Sequence, residues 1–370
     1  MAEVVKIVLT GGPCAGKTTA LHFLKERLEE LNIKVYIIEE TASRLFSKGI
    51  SPQNLGSYEF HKHLFETQLR EEKILEQKAS AYDGKKAVIL LDRGLLDSKA
   101  YVTDDEFKKY ISASNQNEDI IRNSYDAVFH LKSVALYDEN IYRKNKNEVR
   151  KEDSDLAGKI DERLLSVWTG TAHLRVIKNN ADFDKKLNDL LKEVMGFLGE
   201  PEPLEIERKF LIEYPDIDFL NSISTCRKVS ITQAYLHTPE EGIFRIRKRG
   251  SGEDAVYIKT VKNKINDLKR IEKETYLTES EYKDLLNRKE CITGIISKDR
   301  YCIVYDDSYY ELDVYPFWSD RATLEIELLS EDQPYKLPPF VRLIREVSHE
   351  PEYRNFALAQ RLLNYQHKTP

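Results

Sequence analysis

Residues Gly11–Thr18, GGPCAGKT, fit the spacing GxxxxGK[ST], and they stand between an apolar run that reads as a strand and an amphipathic run that reads as a helix. Such a loop surrounds phosphate oxygens with backbone N–H groups and the positive end of the helix dipole. Gly11, Gly12, Pro13, Cys14, Ala15, Gly16, Lys17, Thr18 and Thr19 are therefore expected to bind a nucleotide, with Lys17 neutralising the outer phosphates and Thr18 ligating Mg²⁺. Asp92 ends the apolar run AVILLD, a place for a direct or indirect Mg²⁺ partner, or for a residue that merely caps a turn. Glu39 and Glu40 end the run KVYIIEE; there a carboxylate could orient water or accept a proton from an acceptor hydroxyl, or simply be solvated. The segment RKNKNEVRKEDSD reads either as a lid reaching the transferring phosphate or as an exposed loop, with Arg143, Arg150 and Arg163 as basic candidates.

A second set of charges recurs at every other position in the later half of the chain. In a strand, alternate residues share a face. PLEIERKFLI thus sets Glu205, Glu207 and Lys209 opposite Leu204, Ile206 and Phe210, and ATLEIELL sets Glu325 and Glu327 opposite Leu324, Ile326 and Leu328. Glu311 and Asp313, Glu272 and Glu274, Arg245, Arg247 and Arg249, Lys259, and Lys298 with Arg300 repeat the device. Two architectures satisfy it: a sandwich with charges facing water, or a closed barrel with a charged lumen and an apolar outside covered by helices. In a lumen, massed carboxylates need cations, and oxygen-only clusters suit Mg²⁺ or Mn²⁺. Basic residues in the same cavity call for a multiply charged anion to bridge the two sets, and polyphosphate is the natural guest.

These residues need elements to carry them. With 370 residues the chain suits two domains. Its 41% hydrophobic and 32% charged residues suit a globular protein, and a net charge of −6 argues against a general nucleic-acid coat, so no stable nucleic-acid partner is expected. Four cysteines without CxxC spacing suggest neither a disulfide scaffold nor structural zinc, and favour a reducing cytoplasm. The longest aliphatic run, AVILL, falls far short of the ~20 residues needed to span a bilayer, and no signal peptide or membrane anchor is expected. Up to about residue 200, strands and helices alternate, which predicts a parallel sheet with helices on both faces. GEPEP reads as a linker, after which the period switches from 3.6 to 2. The expected domains are 1–200 and 201–370.

Resemblance sharpens both halves. GGPCAGKTT, IIEETASRL, the DRG after AVILLD, and VIKN before the last helix of the first half resemble the AAA-type P-loop family that includes nicotinamide riboside kinase domains. The opening ExExK, then QAYL, RxR, the Lys259 strand, RxExE, KxRY, ExD, LEIEL and REVSHEPEYRNFALA resemble the CYTH domain of triphosphate tunnel metalloenzymes. That resemblance implies an eight-stranded antiparallel tunnel holding a triphosphate, one metal bridging its oxygens and a second, where present, activating water. It also implies a metal side of Glu205, Glu207, Asp313, Glu325 and Glu327, and a phosphate side of Lys209, Arg245, Arg247, Lys259, Lys298, Arg300 and Arg345, with Glu205, Glu207, Lys209 and Lys259 catalytic. SHEPEY stands where the family often has an aspartate-containing turn.

The expected activity is metal-dependent hydrolysis of a triphosphate, inorganic or nucleoside-linked, beside a P-loop domain that binds a nucleoside triphosphate. A small-molecule kinase with Glu40 or Asp92 as base is an alternative. The two-domain order also resembles a small group, insect members among them, whose first domain is associated with GTP and whose second is associated with anionic phospholipids. The basic loop VKNKINDLKR could then meet a phosphoinositide head group or an RNA 5′ triphosphate, or be a solvated hairpin loop. The first half lacks NKxD after its fourth strand, so the residues favour ATP whereas kinship favours GTP.

Overall fold

The computed structural model describes residues 2–133, 154–179, 182–199, 204–238, 242–252, 255–264, 269–288 and 291–366, with the backbone alone at 154, 204–205, 262–264, 269–274 and 363–366. The chain forms two compact units, Met1–Leu191 and Lys192–Pro370, a division that falls within the helix Phe183–Leu198.

In the first unit, β1 (Glu3–Thr10), β2 (Lys34–Ile38), β3 (Lys86–Asp92), β4 (Ala127–Leu131) and β5 (Leu174–Ile177) form a parallel sheet in the order β2-β3-β1-β4-β5. Their sequences are nearly continuous apolar runs because parallel strands are covered on both faces: every residue of β4, and Ala87–Asp92 of β3, is buried. The helix Lys17–Glu30 buries Ala20, Leu21, Leu24 and Leu28, a stripe at helical spacing. Leu31, which continues the same spacing, lies past the helix end and is exposed. In register, Leu9 faces Asp92, so the ends of β1 and β3 meet where the loop 11–16 begins. The C-terminal ends of parallel strands beside a change of winding are where α/β sheets bind ligands.

The second unit is antiparallel: β6 (Leu204–Glu213), β7 (Cys226–Thr238), β8 (Gly242–Arg249), β9 (Val256–Lys264), β10 (Lys269–Leu277), β11 (Ile296–Tyr305), β12 (Ser308–Val314), β13 (Arg321–Leu328) and β14 (Leu343–Glu346). The order is β10-β9-β8-β7-β11-β12-β13-β6-β14. β10 also pairs with β6 through Lys269–Ile206, Arg270–Glu205 and Ile271–Leu204, so eight strands pair in a ring; β14 takes the other half of that edge of β6, at Phe210–Ile212. Alternation then divides the strands. Phe210, Ile212, Ile303, Tyr310, Leu312, Ala322, Leu324 and Ile326 form an outer apolar cluster against Ile217, Leu220 and Phe340. A second cluster, Ala234, Leu236, Phe244, Ile246 and Tyr257, is covered by Tyr282 and Leu285 of the helix Glu279–Leu286, which a Thr278–Glu281 capping box begins. Leu358, with Phe356 and Leu362, brings the helix Asn355–Gln366 onto Tyr235, Ile296 and Tyr315. Among the described residues no helix is long and apolar enough to cross a membrane.

Leu324 has no exposed surface and is packed on the outer face. Leu324→Ala should therefore cost about 2–5 kcal/mol, read from paired urea unfolding curves. A loss below about 1 kcal/mol would mean that this face is not a core.

Candidate functional site

The phosphate loop is shaped by three glycines that no other residue could replace without strain. Gly11 has φ +135° and an added Cβ would lie 2.1 Å from the Leu131 carbonyl oxygen; Gly16 has φ +85° and its Cβ would lie 2.5 Å from the Phe183 ring. A Cβ on Gly12 would lie 2.9 Å from that of Asp161. Lys17 is buried and donates to the Gly11 and Gly12 carbonyl oxygens at 2.9 and 3.0 Å, a posture that a phosphate would outcompete. Around the loop, Gly12 N donates to Asp161 Oδ1 (2.7 Å), Ser133 Oγ donates to the Pro13 carbonyl, and Lys186 Nζ donates to the Ala15 carbonyl (2.9 Å). Burial pushes the Lys186 amine down to about 7, Asp161 opposing and Lys17 adding to the shift.

Beside the loop, Thr18 Oγ1 donates to Asp92 Oδ2 at 2.7 Å, and Asp92 Oδ1 is buried with no hydrogen-bond partner. A hydroxyl next to an orphaned carboxylate oxygen fits Mg²⁺, which Thr18 and Asp92 would hold. Glu39 is exposed, whereas Glu40 Oε1 accepts from Arg93 Nε at 2.8 Å. Arg93 is a residue that sequence reasoning missed. It adopts a left-handed φ of +79°, stands 5.7 Å from the Tyr101 ring centre, and its Nη1 reaches Asp97 Oδ2 at 3.3 Å. Asp97 also accepts from Thr10 Oγ1 and from Trp168 Nε1 (2.6 Å); burial raises its carboxyl despite Arg93. Arg143 and Arg150 lie outside the described residues, and Arg163 Nη2 donates to the Val102 carbonyl at 2.7 Å, a structural use rather than that of a lid. Thr19 is exposed.

Inside the strand ring, register pairs Lys209 with Glu325 across β6 and β13, and Nζ meets Oε1 at 2.5 Å. Arg300 Nη2 donates to the other Glu325 oxygen at 3.0 Å and to Asp313 Oδ2 at 2.7 Å; its Nε donates to Asp313 Oδ1 at 2.7 Å, and it also pairs with Glu311. Lys298 pairs with Asp313, and its Nζ lies 3.3 Å from Asn355 Oδ1. Burial would raise the Glu325 carboxyl, but Lys209, Arg300 and Lys298 together hold it well below the usual range; Asp313, likewise buried, is lowered by Arg300 and Lys298. Burial and then the Arg300 charge push the Lys298 amine down to about 7. Arg245 and Arg249 are buried on the same inner face, Arg247 is half-buried there opposite Gln233, and Arg245 Nη2 donates to Thr260 Oγ1 at 3.1 Å.

The expected metal set divides in two. Glu325 and Asp313 already have three cations on their oxygens. Glu207 and Glu327 stand directly opposite one another in register on β6 and β13, two carboxylates of like charge that a cation would suit. The Glu205 side chain is outside the described part, as are those of Glu272 and Glu274; among the described residues no three His, Cys, Asp or Glu side chains gather closely enough to hold a metal. Lys259 is a correction. Its register partner is Ile246 while Thr260 pairs with Arg245, so Lys259 points to the outer face, its Nζ 4.4 Å from the Phe244 ring centre. It followed VYIKTV by alternation, but pairing sets which parity looks inward. Arg345 is half-exposed and held by Glu350 (2.9 and 2.7 Å) and by the Tyr353 hydroxyl (3.1 Å), apart from the buried cations. The loop Val261–Arg270 lies partly outside the described residues.

Fold and sites together define a P-loop nucleotide-binding domain followed by an antiparallel strand ring with a charged interior. Residues 6–186 match the family model described as AAA domain, and residues 203–361 match that of the CYTH domain, so the chain is an AAA domain fused to a CYTH domain. No curated protein matches it. Among solved structures it is similar to the inorganic triphosphatase NE1496, at 30% identity over 42% of this chain and 94% of that one, with a TM-score of 0.30. A second structure, described as the hypothetical protein NE1496, gives 29% identity over 42% and 97%, with a TM-score of 0.29.

Glu325 carries a linkage of definite sign. A carboxyl depressed in the fold contributes stability above its unfolded pKa, about 4, and that stability is lost as pH falls through the folded value. Glu325→Ala should cost about 3–5 kcal/mol at pH 7 by leaving Lys209 and Arg300 short of a partner, with a smaller cost at pH 3, in chemical denaturation. An equal cost at both pH values would refute the pairing.

Proposed function

We propose that the C-terminal ring binds and hydrolyses a triphosphate, inorganic or nucleoside-linked, with Mg²⁺ or Mn²⁺, and that the P-loop domain binds ATP or GTP. The observation that supports it best is the distribution of charge on the inner face. β7, β8 and β9 contain no Asp or Glu, yet β8 turns Arg245, Arg247 and Arg249 inward. The inward carboxylates Glu207, Glu311, Asp313, Glu325 and Glu327 lie on β6, β12 and β13. A guest that is anionic on one side and coordinates a cation on the other matches both walls, and a metal-loaded triphosphate is such a guest.

In this reading Arg245, Arg247, Lys298 and Arg300 take phosphate oxygens by charge-assisted hydrogen bonds. Lys209 and Arg300 stay anchored by Glu325, which fixes their heads before the ligand arrives. Glu205, Glu207 and Glu327 would hold the metal, which when bound neutralises phosphate charge and activates water. Added negative charge favours the protonated form of Lys298, so affinity for triphosphate should weaken as pH rises from about 6.5 to 8.5.

A second reading for the P-loop domain rests on the Glu40–Arg93 pair at the strand ends: Glu40 is positioned to accept a proton from the hydroxyl of a small phosphoryl acceptor.

Phosphate release from tripolyphosphate should vanish in Glu205→Ala and Glu325→Ala and persist in Lys17→Ala. Loss in Lys17→Ala alone would transfer the activity to the P-loop domain and remove the tunnel assignment.

A further inference from the structure

We propose that Lys186 and Ser133 are positioning residues of the phosphate loop: by fixing the Ala15 and Pro13 carbonyls, they aim the Gly16 and Cys14 N–H groups at the nucleotide's phosphates. The proposal rests on the nucleotide-binding reading of the loop. A trans peptide is planar, with its C=O and N–H antiparallel, so a carbonyl fixed in one direction sends the next residue's N–H in the other. Lys186 is buried, and its ammonium spends three donors on the Ala15 carbonyl (2.9 Å), the Lys132 carbonyl (2.7 Å) and Asn179 Oδ1 (2.6 Å). Ser133, also buried, donates its hydroxyl to the Pro13 carbonyl. Asn179 Nδ2 donates to the Ser133 carbonyl at 2.9 Å, which joins the two supports into one frame.

The other loop carbonyls are held differently. Gly11 and Gly12 accept from Lys17, the residue that a phosphate would draw away. Once Lys17 turns to the ligand, those two bonds are gone, and the frame from the end of β4 and the helix Phe183–Leu198 still fixes the peptides 13–14 and 15–16. None of its members falls within GxxxxGK[ST], so the motif alone does not specify it. A merely structural brace would stabilise the fold without distinguishing ligands by their phosphates, and that separates the two roles.

The test uses the full chain, with binding of ATP and GTP and of their monophosphates measured by calorimetry at fixed Mg²⁺, beside melting without nucleotide. Lys186→Met and Ser133→Ala should each weaken the triphosphate by about tenfold or more, the worth of one charge-assisted or buried hydrogen bond, and the monophosphate by less than about threefold. Lys186→Arg should recover most of the loss. If Lys186→Met fails to fold, Ser133→Ala and Lys186→Arg decide the matter. Equal weakening of tri- and monophosphate, or unchanged binding in variants while Lys17→Ala abolishes it, would overturn the positioning role. Equal binding by wild type and Lys17→Ala would instead refute the nucleotide reading itself.

Discussion

The second domain depends on one chain of buried ion pairs, Lys209–Glu325–Arg300–Asp313–Lys298, running across β6, β13, β12 and β11. Taking a charge out of water costs several kcal/mol unless a partner and hydrogen bonds replace the solvent. Each member meets that demand only in one strand register. A slip of one residue would carry these charges to the outer face and bring Leu312, Leu324 and Ile326 inward, a double loss. The pairs thus act on register at least as much as on net stability, and the outer apolar clusters are the other half of the same constraint.

The first domain solves phosphate recognition with backbone instead. N–H groups need no counter-ion while the site waits for ligand, but they must be pointed, and the pointing falls to positive-φ glycines and to side chains behind the loop. Close approach at Gly12, where Asp161 both packs and accepts the N–H, leaves no room for a Cβ. The cost is therefore steric and local, whereas in the strand ring it is electrostatic and spread over four strands.

How much of this could be read from sequence follows from the range of each determinant. The cradle was legible because its motif is local, and the two-faced strands were legible because ExE and RxR alternate visibly with Leu, Ile and Phe. Lys259 was misplaced because its face depends on how β8 and β9 pair, information that lies in Arg245–Thr260 rather than in VYIKTV. Arg93 escaped notice because a left-handed arginine has no signature, although Asp97 four residues on offered a faint one. Asp161, Ser133 and Lys186 reach the loop from 120 to 171 positions away in the chain, and nothing in a single sequence marks such pairs. The acidic residues were legible as a list but not as a division, since only register shows that Glu325 lies between Lys209 and Glu311 while Glu327 faces Glu207.

That division bears on how such a cavity can exist before its guest arrives. Lys209, Lys298 and Arg300 are matched by Glu325, Asp313 and Glu311, so these inner cations have carboxylate partners within the protein itself. On either side of it lie two sets of like charge, the arginines on β8 and the facing carboxylates Glu207 and Glu327 on β6 and β13. A monovalent anion would meet the first and aggravate the second; a bare divalent cation would do the reverse. A ligand that brings several negative charges together with a metal would meet both sets at once, which is the physical ground for the proposed reading of this cavity.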